Sequence, residues 1–197
     1  MDSLNISVYH LLFISNLITK SFEGLGKYSS LEIAKTPSNK EMDMILFENV
    51  VTIILIRTNS LQDEYCRQFL KIQDERVSDF QNLCEPIWER INQWTEIANF
   101  RHNVLAHNLR SDRKDNYKSV FLVRTFNDFD IPKTIKEVMV LVECINIFKQ
   151  LLYKKFKLEY EFAQQQIVLT KQNSVPTKDI HYEKEINDLL LKLKARA

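Results

Sequence analysis

Only two glycines, Gly24 and Gly26, occur in 197 residues, where an average chain carries roughly 7%. Four prolines add few further breakers. Tight β-hairpins need positive φ, which glycine supplies most cheaply. A sandwich, a barrel or a doubly wound sheet of this length would need many more such turns. Phosphate-binding loops and dinucleotide fingerprints also need several glycines in one turn. The shortage therefore predicts an all-α chain with no glycine-built nucleotide cradle. Gly24 is expected to close the first helix.

Apolar residues make up 45% of the chain and charged residues 27%, an ordinary globular balance with enough length for one sizeable core. The formal net charge is +1, from 27 basic and 26 acidic residues, so no broadly basic nucleic-acid surface is expected. The three cysteines, Cys66, Cys84 and Cys144, are widely spaced and form no metal-binding or disulfide pattern. A reducing, cytoplasmic setting follows as the expectation. No metal and no cofactor are expected. The greasiest run, Met44 to Ile56, is divided by Glu48 and Asn49. It falls short of the ~20 residues of a membrane span and reads as a buried helix.

Along the chain, residues 3–22 predict a first helix, and Thr36-Pro37-Ser38-Asn39 predicts a turn. A second helix is expected over about 40–69. It is apolar all round near its start and is placed centrally for that reason. Val77, Phe80, Cys84, Ile87, Ile91, Trp94 and Ala98 alternate steps of three and four, a seam of period 3.5. Trp88 and Trp94 read as core, and Pro86 predicts a kink or a new helix start. Continued, the seam reaches Arg101, Leu105 and Asn108, so it turns polar where it should stay buried. Residues 109–131 read as a long connection with a short strand over 120–123. Asp130 and Pro132 predict the start of a long helix over 132–168. The apolar surface of 135–152 is wide enough for burial on two sides. A charged helix is expected over 179–195. The layout is one helical domain, 1–197, with its core over about 40–168 and residues 172–197 appended.

Chemistry concentrates in Phe100-Arg101-His102-Asn103-Val104-Leu105-Ala106-His107-Asn108. His10, alone on an apolar face, and His181, in the charged tail, read as structural or solvated. An arginine is always charged and grips phosphate through a two-pronged donor fork. A histidine titrates near neutral pH and moves protons there. Together they suffice for RNA cleavage by the 2′-hydroxyl, which needs no metal. A base takes the hydroxyl proton, the oxygen attacks phosphorus, and a cation stabilises the phosphorane. On a continuous helix Arg101 and His107 lie ~9 Å apart along the axis and about 120° around it. They converge only if the helix loosens near Ala106 or if two subunits each bring a copy. The apolar face of 135–152 favours the dimer.

The run Arg101, His102, then Ala106-His107 resembles the signature of the HEPN (higher eukaryotes and prokaryotes nucleotide-binding) superfamily. In that signature an arginine, usually followed by a polar residue, precedes a histidine by a few positions. The wording is similar to the abortive-infection branch. The resemblance implies an up-and-down helical bundle, usually dimeric, with metal-independent endoribonuclease activity in toxin and antiphage-defence members. It implies catalytic roles for Arg101 and His107, with His102 or Asn103 as the supporting polar residue. Asn108, Arg110, Arg113 and Lys114 would then contact RNA. His102 stands where Asn or Asp is commoner. Leu109 stands where some toxin members carry the tyrosine that a nucleotidyltransferase antitoxin modifies. Expected partners are an RNA substrate, a second copy of the chain and an antitoxin protein. The alternative expectation is a non-catalytic helical dimer that binds RNA, nucleotide or a protein partner. A third is an antitoxin or scaffold that docks through 135–152.

Overall fold

A computed structural model describes residues 2–29, 40–102 and 128–171. The turn at 36–39, the strand expected over 120–123 and the helix expected over 179–195 lie outside the described residues, as do Asn103, His107, Asn108, Arg110, Arg113 and Lys114. The chain divides into two compact units, Met1–Gln164 and Gln165–Ala197. Among the described residues there are helices and no strands, as the glycine shortage requires. They are α1 (Ser3–Ser29), α2 (Lys40–Arg67), a 3-10 turn (Phe69–Lys71), α3 (Glu75–Asn92), α4 (Ile97–Arg101), α5 (Ile135–Lys155) and α6 (Lys157–Lys171).

α1 packs against both α2 and α5, and α3 packs against α5. Aromatic side chains close the ring between α2 and α3. The Tyr65 and Trp88 rings stack with centroids 4.8 Å apart, and Phe148 of α5 stands edge-on to both. Phe69, Phe80 and Phe156 extend the cluster through edge-to-face contacts of 5.5–5.8 Å, the geometry that aromatic quadrupoles prefer. Polar residues inside α1 and α2 meet their needs locally. Ser15 Oγ donates to the Leu11 carbonyl and Thr58 Oγ1 to that of Ile54, so both hydroxyls are buried without an orphan donor.

Six sequence expectations change. Gly24 does not stop α1, because both glycines lie inside the helix and neither takes a positive φ. A glycine ends a helix only when it adopts the left-handed conformation, and here it merely weakens the last turns. α2 is not wrapped by core at its start: Met44, Ile45 and Ile53 are exposed. One stretch among the described residues, Asp43–Lys71, is long and apolar enough to cross a membrane by length and composition alone. The apolar window thus runs beyond Ile56, and a third of it is buried against the bundle.

The seam holds from Val77 to Trp94 and then changes phase. α3 runs through Pro86 and ends at Asn92, so Ile97 and Phe100 become the buried pair and Ala98 is exposed. Helix α5 begins at Ile135 rather than at Pro132. Thr134 Oγ1 accepts from the Glu137 N–H while the Glu137 carboxylate accepts from the Thr134 N–H, a reciprocal capping box. Lastly, the long helix is two helices. Phe156 leaves the helical path at φ −124°, ψ 35° and is fully buried in the ring cluster. Arg76 spans that break, lying over the Phe156 ring at 5.5 Å and pairing with Asp74 and Glu159.

Candidate functional site

Arg101 is the last residue of α4, and the segment before α5 fixes where α4 starts. Thr95 N–H and Oγ1 both donate to Asp130 Oδ2, at 3.0 and 2.9 Å. The Asp130 N–H donates to Glu96 Oε2, and the Glu96 N–H donates to the Asp130 carbonyl. These bonds to Thr95 hold the Asp130 carboxyl below its usual range. Phe129 then meets Phe100 edge-on at 5.7 Å. With Ile97 and Phe100 buried in the bundle, α4 lies against α2 and Arg101 stands at its rim.

There Arg101 Nη1 donates to Asp63 Oδ2 at 3.1 Å, with both side chains more than a third exposed. The buried Asn59 donates to the same oxygen at 3.1 Å, and Arg67 Nε pairs with Asp63 Oδ1 at 3.3 Å. Asn59, Asp63 and Arg67 are spaced by four on α2 and so share one face. Asp63 thus orients the guanidinium. His102 follows at the end of α4, exposed, its backbone N–H donating to the Ala98 and Asn99 carbonyls. Sequence reasoning placed Arg101 and His102 in the site but missed Asp63, Asn59 and Arg67. A four-residue polar spacing on α2 was the available signal, and nothing in it names a partner 38 residues away.

Two further polar groups were not foreseen. Glu64 takes a hydrogen bond from Ser7 Oγ and lies 3.8 Å from His10 Nδ1. The carboxylate sits between hydroxyl and imidazole, so the nucleophile–base contact of a hydrolytic triad is absent among these three. A second feature lies between α2 and α3, a pocket of about 240 Å³ walled by Tyr65, Trp88 and polar side chains. Burial raises the Cys66, Cys84 and Cys144 thiols, Cys84 to about 12, so all three favour the protonated form over the reactive thiolate.

No family model matches the chain, and no curated protein or solved structure matches it.

Proposed function

We propose that the protein is a metal-independent endoribonuclease of the HEPN type, of a toxin or antiphage-defence kind, acting as a homodimer. The observation that carries this is Arg101, a permanent cation held at the rim of the bundle by Asp63, which Asn59 braces in turn, with more than a third of its side chain exposed. It is next to His102 and six residues before His107. In this reading the guanidinium stabilises the developing phosphorane charge. His107 takes the 2′-hydroxyl proton, and His102 or Asn103 supports the site. The attack breaks the P–O5′ bond, and the leaving oxygen takes a proton, giving a 2′,3′-cyclic phosphate and a free 5′-hydroxyl. Arg110, Arg113, Lys114 and Asn108 are assigned to the RNA backbone. The exposed apolar side chains Ile135, Met139, Val140 and Ile147 on α5 support the homodimer. An antitoxin protein is the further partner in this reading.

The Arg101–Asp63 ion pair also favours a second reading, in which Arg101 is a packing contact of a non-catalytic helical dimer that binds RNA, nucleotide or a partner protein. One experiment separates them. Purified protein is incubated with single-stranded RNA in EDTA and the ends are analysed. The nuclease reading expects cyclic phosphate ends, lost by 10²-fold or more in His107→Ala with the circular dichroism spectrum unchanged. Equal cleavage by His107→Ala, or none by the wild type across RNAs of varied sequence, overturns it.

A further inference from the structure

The groove between α1 and α5 carries aromatic rings that the core does not absorb. Tyr9 stacks on Phe13 one turn along α1, with centroids 6.0 Å apart and planes within 12°. Tyr9 also stacks on Tyr160 of α6 at 6.1 Å, and Tyr153 of α5 stands edge-on to Tyr160 at 5.8 Å. Phe13, Tyr9, Tyr160 and Tyr153 thus form one row across three helices. Its two ends are open to water, Phe13 at 48% and Tyr153 at 40% exposed. Rings held in place by one another but not buried are a platform for flat ligands. Any nucleobase can lie on such a platform, because every base has a π-face.

Charge in the same groove selects the partner. Residues 3–22 of α1 and 144–158 of α5 and the start of α6 contain five lysines and no carboxylate, in a chain whose net charge is only +1. Two of the lysines are paired, Lys155 with Asp79 and Lys157 with Glu161. Lys149 Nζ reaches the neutral Thr19 hydroxyl at 3.4 Å, and among the described residues no carboxylate pairs with it. Lys20 is exposed and lies eleven residues after Tyr9, about three turns, so it falls on the same stripe of α1 as Tyr9 and Phe13. The Tyr9–Tyr160 and Thr19–Lys149 contacts are ten residues apart on α1, which sets ~15 Å between rings and cations. A stacked strand rises ~3.4 Å per nucleotide, so roughly four nucleotides span that length. Burial, and then the Tyr9 and Tyr153 hydroxyls, raise the Tyr160 phenol, which stays a neutral donor. Bare rings at one end and uncompensated cations at the other match base and phosphate. A duplex, whose bases are already stacked, cannot use the rings. The row is also level with Arg101. Ser7 and His10 occupy Glu64, and the next residue of α2, Asp63, holds Arg101.

We infer that the α1–α5 groove binds single-stranded RNA, with bases stacked on Phe13 and Tyr153 and phosphates at Lys149 and Lys20. The inference rests on the RNA-cleaving reading for the choice of RNA, and it adds where the strand lies. A labelled 2′-O-methyl oligonucleotide of mixed sequence, which has no 2′-hydroxyl to attack with, tests binding apart from cleavage. It is titrated with the full-length protein by fluorescence anisotropy, beside the same backbone without bases and a duplex. The base-bearing single strand is expected to bind at least tenfold more tightly than either. Phe13→Ala/Tyr153→Ala is expected to weaken it tenfold or more and to leave the abasic strand unchanged. Both rings are exposed, so the melting temperature should hold. Lys149→Gln is expected to weaken both single strands and to reduce the slope of log affinity against log salt by about 0.7. Equal binding of base-bearing and abasic strands, equal binding of single strand and duplex, or unchanged affinity in the aromatic double variant overturns the groove. Capture by phosphatidylserine vesicles with no strand bound also overturns it. Strand binding with no RNA cleavage by the wild type keeps the groove and overturns only the nuclease. Cleavage with an unchanged KM in the aromatic double variant does the reverse.

Discussion

On one flank of α2 the Asp63 carboxylate takes Arg101, Arg67 and Asn59, while on the other the Tyr65 hydroxyl and the Trp88 N–H have no partner. Asp63 and Tyr65 are two residues apart, hence about 160° around the helix. The first flank is wet at its rim, with ion-pair members more than a third exposed, so solvent would tolerate a poorly matched set there. The second is almost dry, and dryness makes an unpaired group expensive. The satisfied set behaves as a scaffold for the cation it holds. The unsatisfied set marks a demand that the fold itself does not meet.

The largest expected effect tests the dry flank's foundation. Phe148 is fully buried and meets Tyr65, Trp88 and Phe80 within 5.6 Å between centroids. Phe148→Ala is expected to cost about 3–5 kcal/mol in urea denaturation. A cost under about 1 kcal/mol would mean that the ring cluster does not close the bundle.

Opposite signs decide the comparison itself. Asn59 is buried and donates to a charged acceptor, so Asn59→Ala is expected to cost about 1–2 kcal/mol. Tyr65→Phe removes a hydroxyl that makes no hydrogen bond. It is therefore expected to be neutral or to stabilise by up to about 1 kcal/mol. Both are read from the urea midpoint at constant slope. A Tyr65→Phe cost equal to that of Asn59→Ala erases the difference between the flanks.

The sequence disclosed some of this and concealed the rest for definable reasons. Two glycines were enough to foresee that the described residues are helical, and the 3.5-residue seam from Val77 to Ile91 is where α3 buries its face. Both are local signals. The phase change after Asn92 carries no Gly or Pro, and its clamp, Asp130, is 35 residues away from Thr95. Phe156 ends α5 because the ring cluster holds it, and nothing in Tyr153 to Leu158 punctuates that site. The Thr134/Glu137 capping box was legible, but Pro132 offered a competing start nearby. Arg101 was visible as a charge in an apolar register, although that register is reset by the turn before α4. Its partner Asp63 was not, because an ion pair between helices depends on packing. Tyr65 and Trp88 read as core from spacing and are core. Their unpaired atoms emerge only once the rings stack.

The smallest expected energy belongs to the pair at the centre of the wet flank. Arg101 and Asp63 are each more than a third exposed, so a double-mutant cycle with Arg101→Ala and Asp63→Ala should give a coupling of about 0.2–1 kcal/mol in stability, smaller still in high salt. So weak a pair would do little for the fold, and in the nuclease reading its use lies in aiming the guanidinium. Removing Asp63 also unmasks the Arg101 charge, which should bind RNA in the ground state more tightly while stabilising the transition state less well. Asp63→Ala is therefore expected to lower KM and kcat together, the signature of interactions shifted from transition state to ground state. A rise in kcat would show instead that Asp63 restrains Arg101 rather than positions it. A stability coupling above about 2 kcal/mol would return the pair to a structural role and favour the non-catalytic reading.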